Sequence, residues 1–292
     1  MTNKYPLYHI DEIHMPFIQG SFRCKTGEMV SGLFLLDSGS TDNILNLAVL
    51  ELLADDAVSA DKKNVSALGN MGENCTLIQL EMNVCDLNCE TTFCLAQRID
   101  FESCFGKNRI IGILGVSFLL AHQLVLDFNC KCVYQDEERL FRLDDKSFFF
   151  PMGLGLNHYN LPVVGIVKDE REYIFIPDSG CNISMITQSA LEKGTENIRY
   201  QKEYCDVTGI FGNVTTKLAQ ADFDMLSIGK QEGQTELQTN TEHFQVLQDK
   251  EYLFEIDKPG VPSISGLLST DYMLRHHWIL DFHKEIIYSL AH

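Results

Sequence analysis

Short apolar runs rich in β-branched and aromatic residues, broken by polar turn residues, cover most of the chain. Residues 15–24 and 29–36 read as strands separated by Lys25-Thr26-Gly27, a hairpin signal. Residues 161–167 and 172–176 repeat that arrangement around the tighter turn Lys168-Asp169-Glu170-Arg171. Further strands are predicted over 77–87 and 91–97. Helical character is confined to short pieces: 45–54 with its counterpart 186–193, and 116–121 matched by 271–276. The pattern predicts a mainly β fold with a short helix after each of two glycine-bearing apolar blocks.

Four blocks recur in the same order, which predicts an internal repeat. Leu35-Leu36-Asp37-Ser38-Gly39 matches Ile176-Pro177-Asp178-Ser179-Gly180, and Leu68-Gly69-Asn70-Met71-Gly72 matches Thr208-Gly209-Ile210-Phe211-Gly212. The block beginning Gly112-Ile113-Leu114-Gly115 matches the one beginning Gly266-Leu267-Leu268-Ser269, and Val125-Leu126-Asp127-Phe128 matches Ile279-Leu280-Asp281-Phe282. Asp178 follows Asp37 by 141 residues and Gly212 follows Gly72 by 140, whereas Gly266 follows Gly112, and Asp281 follows Asp127, by 154. One insertion within 213–265 explains the slip, and the polar stretch 227–240 is its expected place, as a surface loop or long hairpin tip. The expected organisation is a first lobe over 1–134, a connecting segment over 135–160 and a second lobe over 161–292. Phe148-Phe149-Phe150 makes the connector too apolar for a free linker, so it is expected to pack between the lobes.

Composition narrows the function classes. The chain has 292 residues, 45% hydrophobic and 22% charged, which is ordinary for a globular protein with a real core. A net charge of −18 repels phosphate backbones and anionic lipid, so neither a nucleic-acid nor a membrane partner is expected. No apolar run reaches the ~18 residues of a membrane helix, and the first residues, Met1 to Pro6, lack the apolar core of a secretion signal. The ten cysteines are therefore expected as reduced thiols in a cytoplasmic protein. Cys85, Cys89 and Cys94, and Cys130 with Cys132, lie in strand-like segments without metal-site spacing, so neither metal nor cofactor is expected.

The chemistry falls on the repeated aspartates. Two carboxylates that share one proton can activate water against a peptide carbonyl, one as base and one as hydrogen-bond donor. Each must end a rigid strand, and Gly39 and Gly180 allow the two turns to approach closely. Ser38 and Ser179 carry hydroxyls that can bond the opposite loop's backbone. No G-x-S-x-G elbow accompanies either serine, so neither is expected as a nucleophile. Asp127 and Asp281, in their shared L-D-F setting, are expected to end strands and accept backbone hydrogen bonds. His276, His277 and Trp278 are expected as structural or surface groups.

Asp-Ser-Gly after an apolar strand, a glycine-bearing flap segment and a late I-x-G-x-L-G-x-x-F-L block together resemble the retropepsins and related aspartic peptidases. The resemblance covers about 15–134 and 161–292, as two such units in tandem. It implies two pseudo-twofold-related β-barrel lobes with a cleft between them, an aspartic endopeptidase active as a monomer, and a protein or peptide as substrate. Asp37 and Asp178 match the catalytic pair; Ser38, Gly39, Ser40, Ser179 and Gly180 match the loops that support it. Gly69, Asn70, Met71 and Gly72, and Gly209, Ile210, Phe211 and Gly212, match the flaps that close over substrate.

Three departures fall in or beside the second unit: Pro177 before the aspartate, Ser269 where the first unit has Gly115, and Cys181 where it has Ser40. A flap tyrosine before a glycine, the pepsin pattern, is not evident. Retention of both Asp-Ser-Gly triplets favours an intracellular processing peptidase; the alternative is a non-enzymatic peptide-binding module that keeps the cleft. The Ser40 hydroxyl is expected to bond an outer oxygen of Asp37, leaving the shared proton mainly on Asp178.

Overall fold

The strand Met29–Leu36 starts exposed and ends with Phe34, Leu35 and Leu36 buried, and Arg171–Asp178 makes the same descent into the interior. Each run therefore delivers its aspartate from the core end of a rigid strand. The computed structural model describes residues 3–10, 13–53, 57–67, 70–95, 99, 101–106, 109–135, 141, 147–154, 161–168, 170–191, 198–209, 212–231, 234–247 and 263–290.

In chain order the first-half strands are β1 (Tyr5–Pro6), β2 (Tyr8–Ile10), β3 (Ile13–Arg23), β4 (Met29–Leu36), β5 (Ile44–Leu45), β6 (Val58–Ala67), β7 (Asn70–Val84), β8 (Leu87–Leu95), β9 (Ile110–Leu114), β10 (Leu124–Asp127) and β11 (Cys132–Gln135). Then come β12 (Phe148–Pro151), β13 (Val164–Lys168), β14 (Arg171–Asp178), β15 (Met185–Thr187), β16 (Ile198–Gly209), β17 (Gly212–Gln231), β18 (Gln234–Leu247), β19 (Ile264–Ser269), β20 (Trp278–Asp281) and β21 (Ile286–Ser289). The helices are short: α1 (Phe101–Phe105), α2 (Val116–Ala121), α3 (Gln188–Leu191) and α4 (Thr270–Arg275). The mainly β expectation holds.

The pairing of one lobe recurs in the other, strand for strand and sense for sense. In the first, β4 runs parallel to β9, β9 antiparallel to β5, β5 parallel to β8, β8 antiparallel to β7, and β7 antiparallel to both β6 and β3, which returns to β4. In the second, β14, β19, β15, β18, β17, β16 and β13 pair in the corresponding order. Closing each ring leaves few free strand edges.

A central sheet joins the two rings. The hairpin β10–β11 and the hairpin β20–β21 meet where β10 pairs antiparallel with β20, with Leu126 opposite Leu280. These leucines are repeat equivalents, 154 residues apart, so the pseudo-twofold axis passes between them. Every residue of β10 and β20 is buried, as expected of strands covered on both faces. Within the segment expected as a connector, β12 pairs with β21, and Phe150 is buried 6.2 Å from the ring of Trp278.

The expected insertion takes the form of a hairpin. β17 to β18 spans 212–247, ten residues more than β7 to β8 over 70–95, and its register reaches Gln231 opposite Gln234. The added length lets Lys230 pair with Phe149 of β12, which ties this hairpin to the central sheet.

Two expected helices are shorter than predicted, because neighbouring residues are taken by strands. Leu45 pairs with β8 and β9, so the helix expected over 45–54 is a 3-10 turn, Leu47–Leu52, capped by the Asn46 side chain. Met185–Thr187 likewise pairs with β18 and β19, and α3 begins only at Gln188.

Candidate active site

The two Asp-Ser-Gly turns face each other across the pseudo-twofold axis and are bonded together. Ser38 Oγ donates to the carbonyl of Pro177 (2.6 Å) and accepts the N–H of Ser179 (2.9 Å). Ser179 Oγ donates to the carbonyl of Leu36 (2.7 Å) and accepts the N–H of Ser38 (2.8 Å). Both serines are fully buried. Four backbone groups at the strand ends are thereby satisfied by two hydroxyls, each of which spends its one proton on a carbonyl.

This arrangement brings the carboxyls together. A methyl group at Gly39 would overlap the carboxyl of Asp178, and one at Gly180 would stand 2.5 Å from the carboxyl carbon of Asp37. No side chain fits at either position. Asp37 Oδ1 accepts the N–H of Gly39 (2.8 Å), Asp178 Oδ1 accepts the N–H of Gly180 (2.9 Å), and the two carboxyls hydrogen-bond each other.

Burial raises both carboxyls above their ordinary range. The rise is larger at Asp178, where burial and the neighbouring Asp37 charge act together against one opposing N–H, from Gly180. At Asp37 the N–H groups of Gly39, Ser40 and Gly180 and the Asp178 side chain all work against the rise. The pair titrates as one unit that holds a proton above the ordinary carboxylate range.

The hydrogen bond expected from the Ser40 hydroxyl to Asp37 does not form. Ser40 Oγ donates to the carbonyl of Asp42 (2.8 Å) and makes no bond to Asp37. Cys181 Sγ makes the matching contact with the carbonyl of Ile183 (3.1 Å). The hydroxyl and the thiol therefore play the same turn-closing part. What differs around the two carboxyls is the backbone: N–H groups of Gly39, Ser40 and Gly180 act on Asp37, and that of Gly180 on Asp178.

The other departures are accommodated locally. β13 pairs with β14 only from Val164 opposite Phe175, so among the described residues no strand pairs with Pro177 on the side away from β19, and the N–H that proline lacks is not called for there. Ser269 caps α4 by accepting the N–H of Tyr272 (3.3 Å). Its own N–H goes to Ser184 Oγ (3.1 Å), where the first lobe has Gly115 N–H on Asn43 Oδ1 (2.9 Å). Asn43 and Ser184 are repeat equivalents, 141 residues apart, and that offset is the signal that identifies them. Thr270, also missed in the sequence, donates to the carbonyl of Ser179 (2.7 Å).

Both expected flap segments are flanked by antiparallel strand pairs: Ala67 pairs with Asn70, and Gly209 with Gly212. Asn70, Met71 and Gly72 begin β7, Gly209 ends β16 and Gly212 begins β17. Leu68, Gly69, Ile210 and Phe211 lie outside the described residues. The stem of the first hairpin reaches the dyad loop through Lys63 Nζ, 2.5 Å from Asp42 Oδ1.

Asp127 and Asp281 lie apart from the dyad and end their strands. Asp127 accepts the N–H of Cys130, and Asp281 accepts those of His283 and Lys284. His276, beside Tyr272, is pushed down to about 4 by burial, and Trp278 is a core residue. Among the described residues no disulfide forms, and no group of three His, Cys, Asp or Glu side chains is placed to hold a metal.

No family model and no curated protein sequence matches the chain. Among solved structures it is similar to the crystal structure of an aspartic proteinase from Irpex lacteus, at 10% sequence identity and a TM-score of 0.58, over 100% of this chain and 97% of that one. At that identity the likeness shows the fold, and the fold is that of the aspartic proteases: two β lobes with a cleft between them.

Proposed function

We propose that this chain is an aspartic endopeptidase in which Asp37 and Asp178 activate water. The observation that carries the reading is the serine-bridged pair of adjacent carboxyls, Asp37 buried and Asp178 partly covered, both raised above the carboxylate range. A structural pair of turn aspartates needs neither this proximity nor this burial.

The residues perform the reaction in two steps. A water bound between the carboxyls gives a proton to ionised Asp37 as its oxygen attacks the peptide carbonyl carbon. Asp178 donates its proton to the carbonyl oxygen, and a neutral tetrahedral diol forms. Collapse of the diol returns a proton to Asp178 from a hydroxyl, while Asp37 passes its proton to the departing amide nitrogen. The C–N bond breaks, leaving an acid and an amine, and the dyad regains its starting state.

The closest functional analogy is a pair of retropepsin-like units in one chain, with the two hairpin tips as flaps over a peptide. Its setting on this reading is the cytoplasm, as a processing enzyme for selected proteins. The test is digestion of a peptide pool by the purified chain. Asp37→Asn is expected to reduce cleavage at least about 10³-fold, the scale of losing a general base. Binding of peptides without Asp37-dependent cleavage would assign the cleft to a binding module instead.

A further inference from the structure

Asp42 and Ile183 hold the same place in the two lobes. Each stands five residues beyond its aspartate (42 − 37 and 183 − 178). Each offers its carbonyl to the side chain two residues back, Ser40 in one lobe and Cys181 in the other. Their backbone roles are thus shared, and only their side chains differ.

That difference is large. The Asp42 carboxylate is mostly covered and paired with Lys63 of β6, whose side chain is 49% exposed. One of three ammonium protons is used on Asp42, which leaves two donors on a half-exposed cation. Ile183 is 45% exposed, a branched apolar side chain held in water on the turn that carries Asp178. A lone exposed isoleucine needs no explanation elsewhere on a surface. Here it stands on the turn that carries Asp178, at the place whose equivalent in the other lobe is the carboxylate that holds Lys63.

We propose that the two sides of the cleft select different substrate side chains, an acidic one (Asp or Glu) beside Lys63 and an apolar one beside Ile183. The inference rests on the peptidase reading of the dyad. The pseudo-twofold axis passes between the two turns, so the two preferences fall on opposite sides of the scissile bond. The protein's net charge of −18 opposes acidic peptides as a whole. A preference for an acid at one position therefore reports a local contact and not the overall field.

The test is a set of peptides of constant composition in which one Glu and one Lys are moved along the positions flanking the scissile bond. Ratios of kcat/KM for Glu over Lys at each position are read from product masses. A ratio within one preparation does not depend on how much of a variant has folded. The wild-type chain is expected to favour Glu about two- to fivefold at one position, the effect of one partly exposed ion pair. Lys63→Met should bring that ratio to about one and Lys63→Glu should invert it. Ile183→Lys should raise the Glu-over-Lys ratio at a position across the bond, where the wild-type chain offers no cation. Unchanged ratios in the Lys63 variants, with Asp37-dependent cleavage intact, would overturn this inference alone. A shift of equal size at every position would overturn it as well, in favour of net charge. Absence of any Asp37-dependent cleavage would remove the peptidase reading and this inference with it.

Discussion

Ser38 and Ser179 each satisfy two backbone groups of the opposite lobe with one hydroxyl, and this fixes the distance between the aspartates more firmly than any contact between the carboxyls themselves. Each of these buried bonds contributes about 0.5–1.5 kcal/mol net, and leaving a partner unmade costs more. The carboxyls pull the other way. In the folded chain Asp178 binds its proton more tightly than an exposed carboxyl does. Its contribution to stability is therefore complete below the ordinary carboxylate pKa of about 4 and is lost as pH rises through the folded value. Asp178→Asn removes that loss, so its melting temperature relative to wild type should climb as pH rises from about 4 toward neutrality. A difference that stays constant with pH would contradict the raised carboxyl. Ser40 gives a second check. Because its hydroxyl bonds Asp42 and not Asp37, Ser40→Ala should leave the acid limb of the pH–rate profile where it is. Movement of that limb to higher pH would restore the hydroxyl as a donor to the dyad.

At the scale of elements, the strands that follow the repeated glycines decide whether the aspartate loops can form. β9 lies between β4 and β5, and β19 between β14 and β15, each parallel to one neighbour and antiparallel to the other. A side chain at Gly266 would overlap the carbonyl of Met185, and one at Gly112 would overlap that of Ile44. Both obstacles are backbone, which cannot rotate away. Gly266→Ala is therefore expected to cost about 3 kcal/mol in urea unfolding, the upper part of the overpacking range. A loss below about 1 kcal/mol would mean that β15 can move without disturbing the loop.

On the scale of the whole molecule, the central sheet makes the two lobes one structure. The Leu126–Leu280 pair and the Ser38–Ser179 bonds mark two points on the same axis, so the carboxyls are positioned by contacts at two depths. Because both aspartates come from one chain, a single molecule should suffice for activity. Mixing Asp37→Asn protein with Asp178→Asn protein should then restore no cleavage. Recovery toward a quarter to half of wild-type activity would show that active sites assemble between chains.

The sequence by itself determined the β character, the places of the short helices and the equivalence of residues in the two halves. Those properties follow from local patterning and from offsets that survive wherever no residue is inserted. Asp37 and Asp178 could be matched at 141 residues because Asp-Ser-Gly after an apolar strand is a local signature. Only the tertiary structure decided what each neighbour does. Ser40 and Cys181 look like donors to carboxylates until the turn closes and presents a carbonyl two residues away. Leu45 and Ile186 carry helix-like patterns, yet strands distant in sequence claim them first. The Lys63–Asp42 pair and the raised carboxyls of the dyad depend on which groups from separate strands arrive at one point. Distances of that kind are fixed by packing across the whole chain, and no periodicity along the sequence records them.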